Sequence, residues 1–124
     1  MSTSLHRSMT LKDVRELVDS WGPPEASAEI VEVNASDRYC SLPTESVAIV
    51  RMRDGRFAYV EQFGDYTEEM EGTFRFSFEL RDTLEAVVRD LCTEDDRKRL
   101  RPMWHHPDGI RALERAGDGE GPWI

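Results

Sequence analysis

The stretch Thr73-Phe74-Arg75-Phe76-Ser77-Phe78-Glu79-Leu80 decides the fold class. Its apolar residues fall on every second position, with Thr73, Arg75, Ser77 and Glu79 between them. A period of two belongs to a strand with one face on a core and the other toward water. The three phenylalanines therefore read as sheet core rather than as a stacking platform. Upstream, Phe57, Tyr59, Glu61 and Phe63 alternate with Ala58 and Val60, which gives a second strand over Arg56 to Phe63. Asp54-Gly55 precedes it and signals a tight type I′ hairpin, whose two central residues need positive φ. Before that turn, Ser46 to Arg53 holds Val47-Ala48-Ile49-Val50, apolar on both sides, the mark of a central strand covered on both faces. Ala28 to Val33 reads as a less regular strand. Asn34 to Thr44 and Gly64 to Gly72 read as loops.

Helical spacing takes over at both ends. Leu11, Val14, Leu17, Val18 and Trp21 form one apolar stripe. Thr10 stands at the N-cap, with Asp13 in capping-box position, and Gly22-Pro23-Pro24 ends the helix. Leu84, Val87, Val88 and Leu91 mark a helix within Asp82 to Cys92. Thr93 caps another, again with an acid, Asp96, three residues on. Asp108 to Ala116 is a third, with Asp108 as its cap. The expectation is an α+β domain: an N-terminal helix, an antiparallel meander of three to four strands, and C-terminal helices packed on one sheet face. The 124 residues make a single domain without internal repeats, with loose ends at 1–9 and 118–124.

Charge narrows the function. The net charge is −9, and the segment from Glu61 to Asp96 holds twelve acids against three bases, so it carries all of it. Such a chain is poorly suited to nucleic acid, because phosphate repulsion replaces counterion release, and poorly suited to an anionic membrane for the same reason. It suits a basic partner protein. No apolar run approaches a membrane span, and Met1 to Met9 has no leader-like apolar core, so a cytoplasmic protein is expected. Cys40 and Cys92 lack metal spacing and read as free thiols, with no neighbouring base to make either a nucleophile.

The hairpin Asp54-Gly55-Arg56-Phe57-Ala58-Tyr59, running on to Asp65-Tyr66-Thr67, is followed by Asp82-Thr83-Leu84-Glu85 and by Thr93-Glu94-Asp95-Asp96-Arg97. Over about residues 46–100 this pattern resembles small α+β proteins of bacteria and their phages that have no known activity. In that group Asp-Tyr-Thr is followed by Gly and often by Cys-Gln. Here Glu68, Glu69, Met70 and Glu71 follow instead, so a neutral loop has become an acidic one. The resemblance implies a small accessory protein and no reaction.

Three groups stand out as candidate sites. The loop acids Asp65, Glu68, Glu69 and Glu71, interleaved with Tyr66 and Met70, combine charge with interface-type anchors. Asp90, Glu94, Asp95 and Asp96 extend that acidic character into the helices. Calcium is the alternative reading of the loop, but EF-hand spacing is absent. Trp104-His105-His106-Pro107-Asp108 is the only histidine-rich spot, yet adjacent side chains diverge and no third ligand follows. Arg97, Lys98, Arg99 and Arg101 form a basic run that a helix C-terminus favours in any case. There is no P-loop, dinucleotide glycine pattern, nucleophile elbow or His-Glu-x-x-His, so neither a cofactor nor an enzyme is expected. The reading is a small acidic module that masks a basic surface of a partner protein, in the manner of immunity or phage anti-defence proteins. The alternative is an assembly subunit of a phage particle or homo-oligomer, docking through Trp104, Trp123 and Ile124.

Overall fold

The computed structural model describes residues 5–41, 43–65 and 73–116. Its centre is one antiparallel sheet of five strands in chain order: β1 (His6–Arg7), β2 (Ile30–Tyr39), β3 (Thr44–Met52), β4 (Phe57–Asp65) and β5 (Thr73–Arg81). Between β1 and β2 lie α1 (Leu11–Trp21) and the short α2 (Ala26–Glu29). After β5 come α3 (Leu84–Asp90), α4 (Glu94–Leu100), a single 3₁₀ turn (Arg101–Met103) and α5 (Pro107–Ala116). The α+β class and the meander are as expected, and three details differ.

The first concerns the strand count. The expected loop after Val33 is strand as far as Tyr39, and His6–Arg7 pairs with its end, His6 opposite Tyr39. Residues 5–9 are therefore tied down rather than loose: Met9 is buried, and its N–H donates to Ser36 Oγ at 2.6 Å. The outermost residues, 1–4 and 117–124, lie outside the described part of the chain.

The second concerns the helices, which cover both sheet faces. Val47 and Ile49 point with Ala35 and Tyr59 to one side, where Val87, Val88, Leu100, Trp104, Ala112 and Leu113 cover them. Ala48 and Val50 point with Ile30, Met52, Ala58 and Val60 to the other, where Val14, Leu17 and Val18 of α1 cover them together with Met9. A strand apolar on both sides demands two covers, and this sheet has them. Each buried Val, Leu, Ile or Met among them stabilises the fold by roughly 1.5–3 kcal/mol before chain entropy is counted.

The third concerns turns and caps. The Gly55 N–H donates to the Met52 carbonyl at 3.0 Å and the Met52 N–H to the Arg56 carbonyl at 2.8 Å, which encloses Arg53, Asp54 and Gly55. This is a three-residue loop ending in glycine at φ 94°, where an L side chain would be strained. The α1 box forms as read: Asp13 N–H donates to Thr10 Oγ1 and Thr10 N–H to Asp13 Oδ2, both at 3.1 Å. The cap of α5 is not Asp108. The helix begins at Pro107, and His106 Nδ1 accepts the Asp108 N–H at 3.2 Å. Asp108 sits inside the first turn, ion-paired with Arg111.

Candidate protein-binding surface

α3 and α4 are short, so their positions are set by side chains rather than by helical propensity. Thr83 Oγ1 accepts the Ala86 N–H at 3.1 Å and starts α3. In α4 the Thr93 hydroxyl accepts the Asp96 N–H at 2.9 Å, and Asp96 Oδ2 accepts the Thr93 N–H at 3.1 Å. The same Oδ2 also accepts the Tyr59 hydroxyl at 2.7 Å. One carboxylate thus closes the helix start and bolts it to β4. Burial raises the Tyr59 phenol above its ordinary range, and the Asp96 charge pushes the same way, so the phenol stays a donor.

That bolt brings the first turn of α4 to the side of the sheet that carries Glu61. Glu94 and Asp95 are exposed there and, like Asp82 at the end of β5, make no ion pair among the described residues. Glu61 is half-buried. Its burial raises its carboxyl above the usual range, the Asp96 charge adds to this, and Arg75 pulls the other way without prevailing. The shift is thus mainly one of burial, with Glu45 also adding to it and Arg99 also opposing it.

The acids expected to touch a partner divide into groups. Glu94 and Asp95 are free to do so. Asp90 is exposed but shared between Arg89 at 2.9 Å and Arg81 at 3.3 Å; the Arg89 bond holds its carboxyl below the ordinary value, with Arg81 adding to it. Asp96 is only 5% exposed and belongs to the helix cap and Tyr59, so it is not a contact residue. Asp65 ends β4 opposite Thr73. Tyr66, Glu68, Glu69, Met70 and Glu71 lie outside the described residues. Trp104 is 8% exposed and packed in the core, because the α5 backbone passes over its ring: a Cβ on Gly109 would lie 1.2 Å from the indole nitrogen. It offers nothing to a neighbour, and Trp123 and Ile124 lie outside the described residues.

The histidine spot holds no metal geometry. His105 and His106 are exposed, and no three His, Cys, Asp or Glu side chains form a metal-holding group among the described residues. Cys92 is buried, and burial pushes its thiol up to about 12, helped by Asp96. That holds the sulfur protonated and unreactive.

A second polar cluster has no spacing signature in the sequence. Asp37 is fully buried, and its Oδ2 lies 2.8 Å from both Arg99 Nε and His6 Nδ1. Arg99 also reaches Glu45 Oε1 at 3.1 Å. A carboxylate only accepts, so His6 Nδ1 is the donor. Most of the basic run is likewise used within the fold: Arg97 donates to the Val88 and Cys92 carbonyls, and Arg101 pairs with Glu114, while Lys98 is exposed. Spacing could not reveal these partners, since Asp37 and Arg99 are 62 residues apart. The only signal was an acid in a stretch without apolar alternation.

No helix among the described residues is long and apolar enough to cross a membrane. Comparison with family models, with curated proteins and with solved structures finds no match.

Proposed function

We propose that the protein is a small acidic binding module that covers a basic surface of a partner protein, in the manner of immunity or anti-defence accessory proteins. The observation that carries this reading is that Asp82, Glu94 and Asp95 are exposed and make no ion pair among the described residues, in a chain of net charge −9. An incoming Lys or Arg would give these exposed carboxylates a partner of opposite charge, so association gains electrostatic energy. The role is non-catalytic, and the net charge of −9 repels nucleic acid and anionic lipid. Steering by such a surface speeds encounter and fades with salt.

The test is a capture experiment from lysate of the native host at low salt, with elution along a salt gradient. A basic protein should elute at moderate salt from the native chain and be lost from an E94K/D95K variant. Equal capture by native and variant chains overturns this assignment.

A further inference from the structure

β5 is an edge strand. Among the described residues it pairs with β4 alone, over its whole length from Thr73 to Arg81. Among the described residues, the only other bond to its backbone is from the Arg81 side chain to the Leu80 carbonyl. A long strand with unpaired backbone groups is a template for another strand unless something blunts it. Proline and lysine are absent from this one, and its pairing with β4 has no register break. Its apolar side is unfinished. Phe76, Phe78 and Leu80 are only partly buried against the α1-side core. Trp21, 54% exposed, lies over Phe74 with ring centroids 4.1 Å apart.

We infer that a second copy of this chain pairs through β5, antiparallel and centred on Ser77, so that two five-stranded sheets become one. The sequence selects this occupant because the strand complements itself. Centring on Ser77 sets Arg75 against Glu79 of the second copy, and Glu79 against its Arg75. On the other side Phe76 meets Phe78, and Phe74 meets Leu80. Opposite charges and large apolar pairs directly across a ladder are the stabilising combinations. A register shifted by two residues either way sets Arg75 against Ser77 or against Arg81, and loses the charge match. Both residues are available: Arg75 and Glu79 are exposed and form no ion pair among the described residues, Arg75 lying 4.6 Å over the Phe63 ring. The contact is isologous and closes at two copies, so it uses up the edge instead of propagating. It leaves both acidic margins on the same side of the joined sheet, and it does not depend on their function.

Sedimentation equilibrium of the full chain at physiological salt tests this. The mass should rise from 14.3 kDa toward twice that value as concentration approaches about 1 mM. R75E and E79R each place like charges opposite each other twice per dimer and should weaken it about tenfold or more. Mixed in equal amounts, these two variants should associate with each other, since every cross-seam pair is then opposite in charge. The doubly swapped R75E/E79R chain should dimerise like the native one. Restoration by mixing cannot come from misfolded protein. A native chain that stays at 14.3 kDa overturns the inference. Variants that dimerise as well as the native chain, or a mixture that fails to associate, overturn it too.

Discussion

The two faces of the sheet are held by different physics. Under α1 the core is apolar: Val14, Leu17 and Val18 rest on Ile30, Ala48, Val50, Ala58 and Val60; among the described residues Ser36 with Met9 is the fully buried polar contact, and Arg15 donates to the Ile30 carbonyl at its margin. Under α3 to α5 the apolar core is threaded by two buried carboxylates, Asp37 and Asp96, each tied to a distant element. Burial of apolar area has no direction, so on the first face the part-buried Arg15 bonds to the Ile30 carbonyl are what tie the helix to a place along the sheet. Hydrogen-bonded charges are directional and costly to leave unpaired, so the second face fixes the placement of α4. The second face is consequently the one on which exposed acids can be held in a defined arrangement.

The largest way to break the comparison is Asp37→Ala. It strips Arg99, whose side chain is only 15% exposed, of its buried partner and leaves it Glu45 alone. The expected loss is about 3 kcal/mol in denaturant unfolding. Replacing both partners, D37L/R99M, should cost less than the single change, because no charge is then left buried. Leu17→Ala on the other face should cost about 2–3 kcal/mol by transfer and cavity alone. A double variant of Leu17→Ala with Asp37→Ala should be additive, and a coupling above about 0.5 kcal/mol would show that the faces are not independent.

Tyr59→Phe is a finer probe. It deletes the hydroxyl that Asp96 accepts and leaves the capping box in place, so the expected loss is about 1.5 kcal/mol. An unchanged midpoint would mean that the cap alone positions α4. The smallest effect has the opposite sign. A carboxyl whose folded pKa lies above its ordinary 4.5 binds its proton more tightly in the native state. Its contribution to stability is therefore present below about pH 4.5 and is lost as pH rises through the raised value. Glu61→Gln should accordingly raise Tm near pH 7 by about 1–2 °C and leave it unchanged near pH 4. A gain at both pH values would assign the effect to packing.

The apolar face was the more legible of the two in the sequence. The α1 stripe, its capping box, and the alternation in β4 and β5 each repeat a period that needs no tertiary knowledge. The Val47-Ala48-Ile49-Val50 run even announced two covers, although the helices were expected on one side only. The sequence pattern of β2 stops at Val33 because Asn34, Ser36 and Asp37 look like loop residues until Met9 is seen to bond Ser36, and His6 and Arg99 to hold Asp37 Oδ2. Asp96 fits two patterns in the sequence, a helix cap and an exposed acidic surface. The first reading holds because Tyr59, on a strand 37 residues earlier, takes the carboxylate inward. β1 is two residues long and carries no pattern at all.

The unbroken order of the strands also has a kinetic consequence. Every strand pair after β1 joins neighbours in sequence, so the sheet can zip up through small loop closures, each of low entropic cost. The bonds that span the greatest separations here, Arg99 to Asp37 and Ser8 to Met103, join the beginning of the chain to its last third. They can form only after the meander exists. The Asp37 staple is thus expected to form late in folding, and its loss should hasten unfolding far more than it slows refolding.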